Sequence, residues 1–234
     1  LLKNDIAAYS AFLVDNGWLA NCNREFAESF MAHCHWRHVP AGTGIQHAGE
    51  SGATVTGIAH GNAVVTTSLS SPDSPTMHVM TPGEWFGYVP LFIGGTRPNS
   101  IVARTDVVLA SMSQVEVEAL LAPRPEWWRD VGALGIIYAN GAIGIAADMM
   151  IRESRRRCAA SLLQIANCRH ADPLGSQPVS MPLSQEELAA IANLSRTSIS
   201  SILRVFEDAG LIRLGYRSFT LIQPGKLRDL VDNV

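Results

Sequence analysis

Apolar residues change their spacing along the chain, and each change marks a different kind of element. Residues 5–37 keep a helical texture with polar interruptions. From Val39 to about Ser113 the chain breaks into short runs rich in Val, Thr and Ile, punctuated by Ala41-Gly42, Gly49, Gly61-Asn62, the "SSPDSP" segment Ser70–Pro75 and Pro82-Gly83. Short strands at roughly even spacing, with turn signals between them, predict an all-β roll, jelly roll or barrel. "VEVEALLAPRPEWW" then returns to helix, with a break at Pro123 and Pro125.

The longest apolar stretch, Gly132–Ile151, holds 20 residues with one Asn and one Asp, Asn140 and Asp148. Its length matches a membrane span, but its apolar content is Gly and Ala rather than Leu, and both polar residues are expensive in lipid. The alternative is a helix covered by another protein surface. Leu134, Tyr138, Gly141 and Ile145 follow the 4-3-4 spacing of a coiled-coil seam. Gly141 and Gly144 cost about 1 kcal/mol each in helix propensity but let two backbones approach closely. The stretch is therefore read as a dimerisation helix. Arg152–Ala166 follows as an amphipathic helix, residues 168–178 as a loop, and the C-terminal "RLGYRSFTLIQP" as a β-hairpin with Gly215-Tyr216 near its turn.

The most informative local pattern spans residues 183–206. Ser184 and Glu187 form a capping box, in which each side chain satisfies an orphan N–H of the other's backbone. The helix they start places Leu188, Ile191 and Ala192 on one face, with small Ala189 where a second helix must approach. Asn193 sits where the chain turns, and Asn tolerates left-handed backbone better than most residues. Ser195 then caps a second helix with the apolar face Ile199, Ile202 and Leu203. Two short helices joined by a turn of about three or four residues make a helix-turn-helix, and the following hairpin makes it winged. Such a second helix enters the DNA major groove with its N-terminal end foremost. Ser195 is placed to cap and to meet a phosphate, and Arg196 to reach guanine O6 and N7. Thr197 and Ser201 share the exposed face, while Arg204 and Arg217 are placed for phosphates.

Composition sharpens this picture only in part. The 234 residues are 47% hydrophobic and 17% charged, ordinary for a globular protein. Net charge is −3, but residues 1–150 hold 7 Lys+Arg against 13 Asp+Glu and residues 151–234 hold 11 against 8. A basic C-terminal third suits a polyanionic partner. Four scattered cysteines (Cys22, Cys34, Cys158, Cys168), with no C-x-x-C pair, fit a reducing cytoplasm rather than a disulfide scaffold or zinc knuckle. The residues present include no charged-then-apolar signal segment. An enzymatic β-roll is the alternative of another class, but neither a G-x-S-x-G elbow, a P-loop nor a roll-borne set of metal ligands is found.

With these residues in view, the chain resembles the CRP/FNR family of bacterial transcription regulators over nearly its whole length. "AHCHWRHVPAGTGIQHAGE" (Ala32–Glu50) is similar to the first β-roll strands of the cyclic-AMP receptor protein, and "PGEWFGYVPLF" (Pro82–Phe92) to its phosphate-binding segment. "SQEELAAIANLSRTSISSILRVFEDAGLI" is similar to its helix-turn-helix. The resemblance implies an α+β protein: an effector-binding β-roll over 1–125, a dimerisation helix over 126–152 and a winged helix-turn-helix over 153–234. It implies a cytoplasmic homodimer on a pseudo-palindromic double-stranded operator, with RNA polymerase as a further partner.

The effector pocket that the resemblance places at Gly87, Tyr88, Val89, Arg97, Pro98, Asn99, Ala142 and Ile143 departs from the pattern. Cyclic-nucleotide binders read Gly-Glu-x-x-x-Phe and then Arg-Ser; the glutamate takes the ribose, and arginine with serine holds the phosphate. Here Tyr88 stands at the glutamate position, and Pro98 replaces the serine, lacking both hydroxyl and N–H. The paired polar residues that meet the adenine align with Ala142 and Ile143. The expectation is an effector other than cyclic AMP, or none. His33, Cys34, His35 and His38 look like a metal cluster, but on a strand His33 and His35 share a face while Cys34 points away, and similar texture in the cyclic-AMP receptor is not a metal site. Cys22 and Cys34 alone do not supply a four-cysteine iron–sulfur site. Haem ligation through His78 or His60 stays open as an alternative within the family.

Overall fold

A computed structural model of the chain describes residues 3–66, 76–170 and 178–232. The "SSPDSP" segment and most of the loop expected over 168–178 lie outside these residues. The elements run α1 (Lys3–Asp15), α2 (Arg24–His33), β1 (His35–Val39), β2 (Gly44–Gln46), β3 (Thr54–His60), β4 (Ala63–Thr66), β5 (Thr76–Met80), β6 (Trp85–Phe86), α3 (Val89–Ile93), β7 (Ser100–Ala103), β8 (Val107–Ser113), α4 (Gln114–Leu121) and α5 (Trp128–Met149). They continue as α6 (Ser154–Ile165), β9 (Val179–Met181), α7 (Gln185–Ile191), α8 (Arg196–Asp208), β10 (Ile212–Gly215), β11 (Ser218–Leu221) and α9 (Pro224–Asp232). Two compact units result, one of residues 1–74 and 80–140 and the other of residues 75–79 and 141–234. The mixture of helix and antiparallel strand is the expected α+β class.

In the first unit one antiparallel sheet takes the order β1-β8-β3-β6, while β2, β7 and β4 lie side by side in a second. Strand β8 shows why its sequence is apolar at nearly every position. Val107 and Leu109 join Val39, Ile58, Ala63 and Ile101 in one core. Val108, Ala110 and Met112 point the other way, into a core shared with Phe26, Phe30, Val117 and Leu134 from the helices. Successive strand side chains face opposite sides, so a strand buried on both faces loses its alternation. Trp18, Phe30 and Trp85 meet edge to face in the helix-side core, at centroid distances of 5.3–5.7 Å, the geometry that aromatic quadrupoles favour. Local caps set the helix starts. Asn23 accepts from the N–H groups of Glu25 and Phe26, and Ser113 forms a capping box with Glu116.

Two expectations are corrected here. Helix does not run through residue 37: α2 ends at His33, and His35–Val39 are strand. His33 therefore does not share a strand face with His35. It closes a helix, its Nδ1 2.8 Å from the Ser29 carbonyl oxygen, whereas His35 Nε2 lies 2.6 Å from Glu116 Oε1. The segment 89–93, within the stretch read as strands, forms the short helix α3 because Pro90 occupies its first turn.

The expected seam of α5 is also corrected. Leu134 is fully buried in its own unit's core. Tyr138 is half-buried, and its hydroxyl accepts from the Trp85 N–H at 2.6 Å. Leu134 is therefore not free to face a second chain, whereas Gly141 and Ile145 are exposed. A different stripe remains open: Ile136 (64% exposed), Ala139, Ile143 (67%), Ala146 and, just past the helix end, Met150 (81%). Its spacing is 3-4-3-4, again that of a coiled-coil seam. The helical segment Pro125–Met149 is long and apolar enough to cross a membrane by length and composition, and only 11% of its most apolar window is buried.

The second unit packs α6, α7, α8 and α9 with the antiparallel sheet β10-β11-β9. Leu162, Leu188, Ile199, Leu203, Phe206, Phe219 and Leu227 are buried in it. A bidentate ion pair joins the last turn of α5 to this body. Asp148 accepts from Arg169 Nε at 3.1 Å and Nη2 at 3.2 Å, and from Gln164 Nε2 at 2.9 Å. Arg169 also reaches Asp232 at 2.9 Å. The Asp148 and Arg169 side chains are each 11% exposed.

Candidate nucleic-acid interface

The capping box at the start of α7 is formed in both directions: Ser184 N–H donates to Glu187 Oε2 at 2.9 Å, and Glu187 N–H to Ser184 Oγ at 3.2 Å. Leu188 and Ala189 are buried against the rest of the unit. The chain then reverses through Asn193, whose φ of 49° lies in the left-handed region expected of it. Ser195 Oγ accepts from the Ser198 N–H at 3.0 Å and starts α8. Ile199, Leu203 and Phe206 form the buried face of α8, with Ile202 only half-buried.

The opposite face holds the residues expected to meet DNA. Ser195, Arg196, Thr197, Ser201 and Arg204 are all exposed, as is Arg217 in the hairpin between β10 and β11. Among the described residues Arg196, Arg204 and Arg217 enter no ion pair. Three unpaired guanidinium groups and a run of hydroxyls beside a helix N-terminus form a surface that attracts anions. The hairpin register pairs Gly215 with Ser218, so Tyr216 and Arg217 are the turn residues. Glu207 of α8 accepts from the Leu214 N–H at 2.8 Å and fixes the hairpin against the helix. Between them lies a cleft of about 410 Å³, lined by Gln185, Glu186, Arg196, Tyr216 and Arg217 among others.

Arg157 is a positioning residue that the sequence did not single out. Its guanidinium donates to the carbonyls of Ile151 at 2.6 Å and Ala192 at 2.9 Å, with Asn193 at 3.4 Å. It thereby ties the turn of the helix-turn-helix to the backbone just beyond α5. In the sequence it is one of three consecutive arginines, and only tertiary structure separates its role from its neighbours'.

Around the expected effector pocket, Gly87 has φ of 79°, and a Cβ there would collide with the Thr54 carbonyl. Tyr88 stacks on Tyr138 with centroids 5.7 Å apart, and burial raises both phenol pKa values. Arg97 donates to the Gly52 carbonyl, Glu50 Oε2 and Thr54 Oγ1, each at 3.1 Å. The Asn99 carbonyl accepts from Gln46 Nε2 at 2.9 Å. Gly87, Arg97 and Asn99 are thus drawn around Gln46 and Thr54, Val89 starts α3, and Pro98 is exposed. Ala142 and Ile143 lie exposed on α5. Burial raises the thiols of Cys22, Cys34 and Cys158 to about 12, so all three stay protonated and poorly nucleophilic at neutral pH.

An antiparallel roll beside a long helix and a winged helix-turn-helix define a two-part transcription regulator. Models of two protein domains match the chain: the cyclic nucleotide-binding domain over residues 36–124 and the Crp-like helix-turn-helix domain over residues 156–230. The chain is 26% identical over 188 residues to the CRP-like cAMP-activated global transcriptional regulator of Mycobacterium tuberculosis, covering 80% of this chain and 84% of that one. It is 28% identical over 186 residues to the Cyclic AMP receptor protein of Thermus thermophilus, covering 79% and 82%. In fold it is similar to FixK2 from Bradyrhizobium japonicum (TM-score 0.70, 17% identity, covering 86% of this chain and 98% of that one). It is similar also to a CRP/FNR-family transcriptional regulator from Thermus thermophilus (0.64, 22%, 85% and 99%). The chain belongs to the CRP/FNR family of transcription regulators, proteins that bind double-stranded DNA and are not enzymes.

Proposed function

We propose that the protein is a cytoplasmic homodimer that reads a pseudo-palindromic operator through α8 and answers to an effector other than cyclic AMP. The observation that carries the DNA reading is the capped, exposed N-terminal face of α8, with Arg196 unpaired at its start. Residues 126–152 supply the dimer helix between an effector unit over 1–125 and a DNA-binding unit over 153–234. The stripe Ile136, Ala139, Ile143, Ala146 and Met150 is the seam, because a mostly uncovered apolar helix needs a cover and a second copy supplies an identical stripe. Two recognition helices then lie about 34 Å apart, one helical turn of DNA. Arg196 reads guanine, Thr197 and Ser201 contact neighbouring bases, and Ser195, Arg204 and Arg217 hold phosphates.

Gel-shift competition on a duplex selected from a random library tests these roles. Arg196→Ala loses about 1–3 kcal/mol of discrimination at one position per half-site, while Arg204→Ala weakens all sequences alike and flattens the salt dependence. Identical behaviour of the two variants contradicts the assignment.

The Mycobacterium tuberculosis and Thermus thermophilus relatives both carry cyclic AMP in their names, yet the residues around Arg97 here do not favour that ligand. Tyr88 brings a phenol where the family pattern has a carboxylate for the ribose, and Pro98 has no donor for a phosphate oxygen. Each lost partner costs about 1–3 kcal/mol, so two together weaken binding at least about thirtyfold. Calorimetric titration of the full chain with cyclic AMP is expected to give no heat of binding in the micromolar range; a micromolar isotherm refutes this part of the proposal.

A further inference from the structure

Tyr216 is 94% exposed, the most exposed of the large hydrophobic residues described. A single exposed aromatic is unremarkable by itself, but several features hold this one in place. It stands at the tip of the two-residue turn, beside Arg217 with φ of 48°, a left-handed conformation that a non-glycine residue adopts only at a cost. A Cβ at the preceding Gly215 would meet the Ser218 hydroxyl and force it to turn away. Below the tip, buried Ile212, Phe219 and Leu221 anchor the hairpin, and the Leu214–Glu207 hydrogen bond sets its position relative to α8. The backbone that carries the ring is therefore set at the hairpin tip, at the edge of the cleft that Tyr216 helps to line.

That cleft lies between the start of α7, with Arg196 of α8, and the hairpin, and Arg196 and Arg217 line it together with Glu186. A groove with guanidinium groups, continuous with the face that reads bases, suits one sugar–phosphate strand. Each strand of a duplex divides a major groove from a minor groove. With α8 in the major groove and the strand in the cleft, the hairpin tip falls on the minor-groove side.

We propose that Tyr216 is a second specificity-determining residue: its ring enters the minor groove flanking each recognition helix and favours A·T over G·C there. The minor-groove edge of an A·T pair presents only acceptors, adenine N3 and thymine O2, to which the phenol O–H can donate. In G·C the guanine 2-amino group projects into the same space, adding a donor and crowding the ring. The inference rests on the DNA-binding reading of α8 and adds a contact on the other side of the strand.

Affinities of the full-length protein are measured on a library-selected duplex whose flanks are replaced by A·T, G·C or inosine·cytosine pairs. Inosine lacks the 2-amino group but keeps guanine's major-groove edge, so it separates the two grooves. Wild type is expected to bind the A·T and inosine·cytosine flanks alike and the G·C flank about fivefold to tenfold more weakly, a base-pair-sized penalty. Tyr216→Ala binds all three alike, and Tyr216→Phe keeps part of the preference through its ring. Both variants retain Arg196-dependent discrimination at the centre of the half-site. A flank preference unchanged in Tyr216→Ala, or absent from wild type, overturns the proposal while leaving the α8 reading intact. Loss of central-site discrimination in wild type overturns the α8 reading itself.

Discussion

Arg169→Ala is expected to destabilise the C-terminal unit by about 3–5 kcal/mol, because it strands a buried carboxylate without its counter-ion. Asp148 is 8% exposed overall and takes two of its hydrogen bonds from this one guanidinium. Gln164 remains as a neutral donor and offsets little of the charge. Arg169→Lys should recover only part of the loss, since an ammonium group cannot reproduce the planar fork. Replacing the pair together, with Asp148→Leu and Arg169→Met, should cost far less than the single change, because no charge is then left buried. All five tryptophans precede residue 129, so tryptophan fluorescence follows the other unit. Amide hydrogen exchange of α6 and α9 in urea reports the relevant opening. A loss below about 1 kcal/mol would place the pair in the class of surface ion pairs and contradict this account.

The second large effect concerns assembly. Ile143→Asp puts two like charges face to face at the middle of the proposed seam, while in the single chain Ile143 is 67% exposed and supports no core. The variant should therefore fold but sediment as a monomer. An uncompensated buried carboxylate costs several kcal/mol on each side of an interface. Operator affinity should fall by at least about two orders of magnitude, since each half-site must then be bound separately. Ala142→Asp, one position around the helix, serves as the comparison and should perturb the dimer less. A variant that remains dimeric at micromolar concentration would show that α5 meets its partner along another stripe.

The contrast between α5 and α8 shows which parts of the molecule are legible in sequence. At α7 and α8 the informative signals are local: a Ser-x-x-Glu box, an Asn at the turn and a Ser cap each act within about four residues. Their geometry follows from the chain itself, and the structure forms all of them. Along α5 two apolar stripes share coiled-coil spacing, and periodicity does not say which one covers the chain's own core. Leu134 and Tyr138 pack on the roll, so their spacing reports the chain's own core, and the proposed seam is the neighbouring exposed stripe. Arg157 and the Asp148–Arg169 pair were unreadable for another reason. Their partners lie 6 to 36 residues away for Arg157 and 21 for the ion pair, and polar contacts over such separations leave no periodic trace. The double-sided burial of β8 had the opposite effect: it made the strand easy to find but hid which face carried which core.

The effector end shows how much a resemblance transfers. Gly87 has a left-handed backbone and approaches the Thr54 carbonyl too closely for a Cβ. Arg97, expected to face a ligand, is held by Glu50, Gly52 and Thr54 of its own chain. A cyclic nucleotide-binding domain is matched over residues 36–124, while the residues expected around its ligand depart from the nucleotide-binding pattern, so fold and output follow from the sequence more directly than the ligand does.

The central claim is that two copies of this chain, joined along α5, place two α8 helices on one operator. Sedimentation velocity of the full-length protein on a library-selected pseudo-palindromic duplex tests it most directly. A single complex of two protomers per duplex is expected, on half-sites about 10 base pairs apart, centre to centre. A complex of one protomer per duplex, bound as tightly to a single half-site as to the full palindrome, would contradict it.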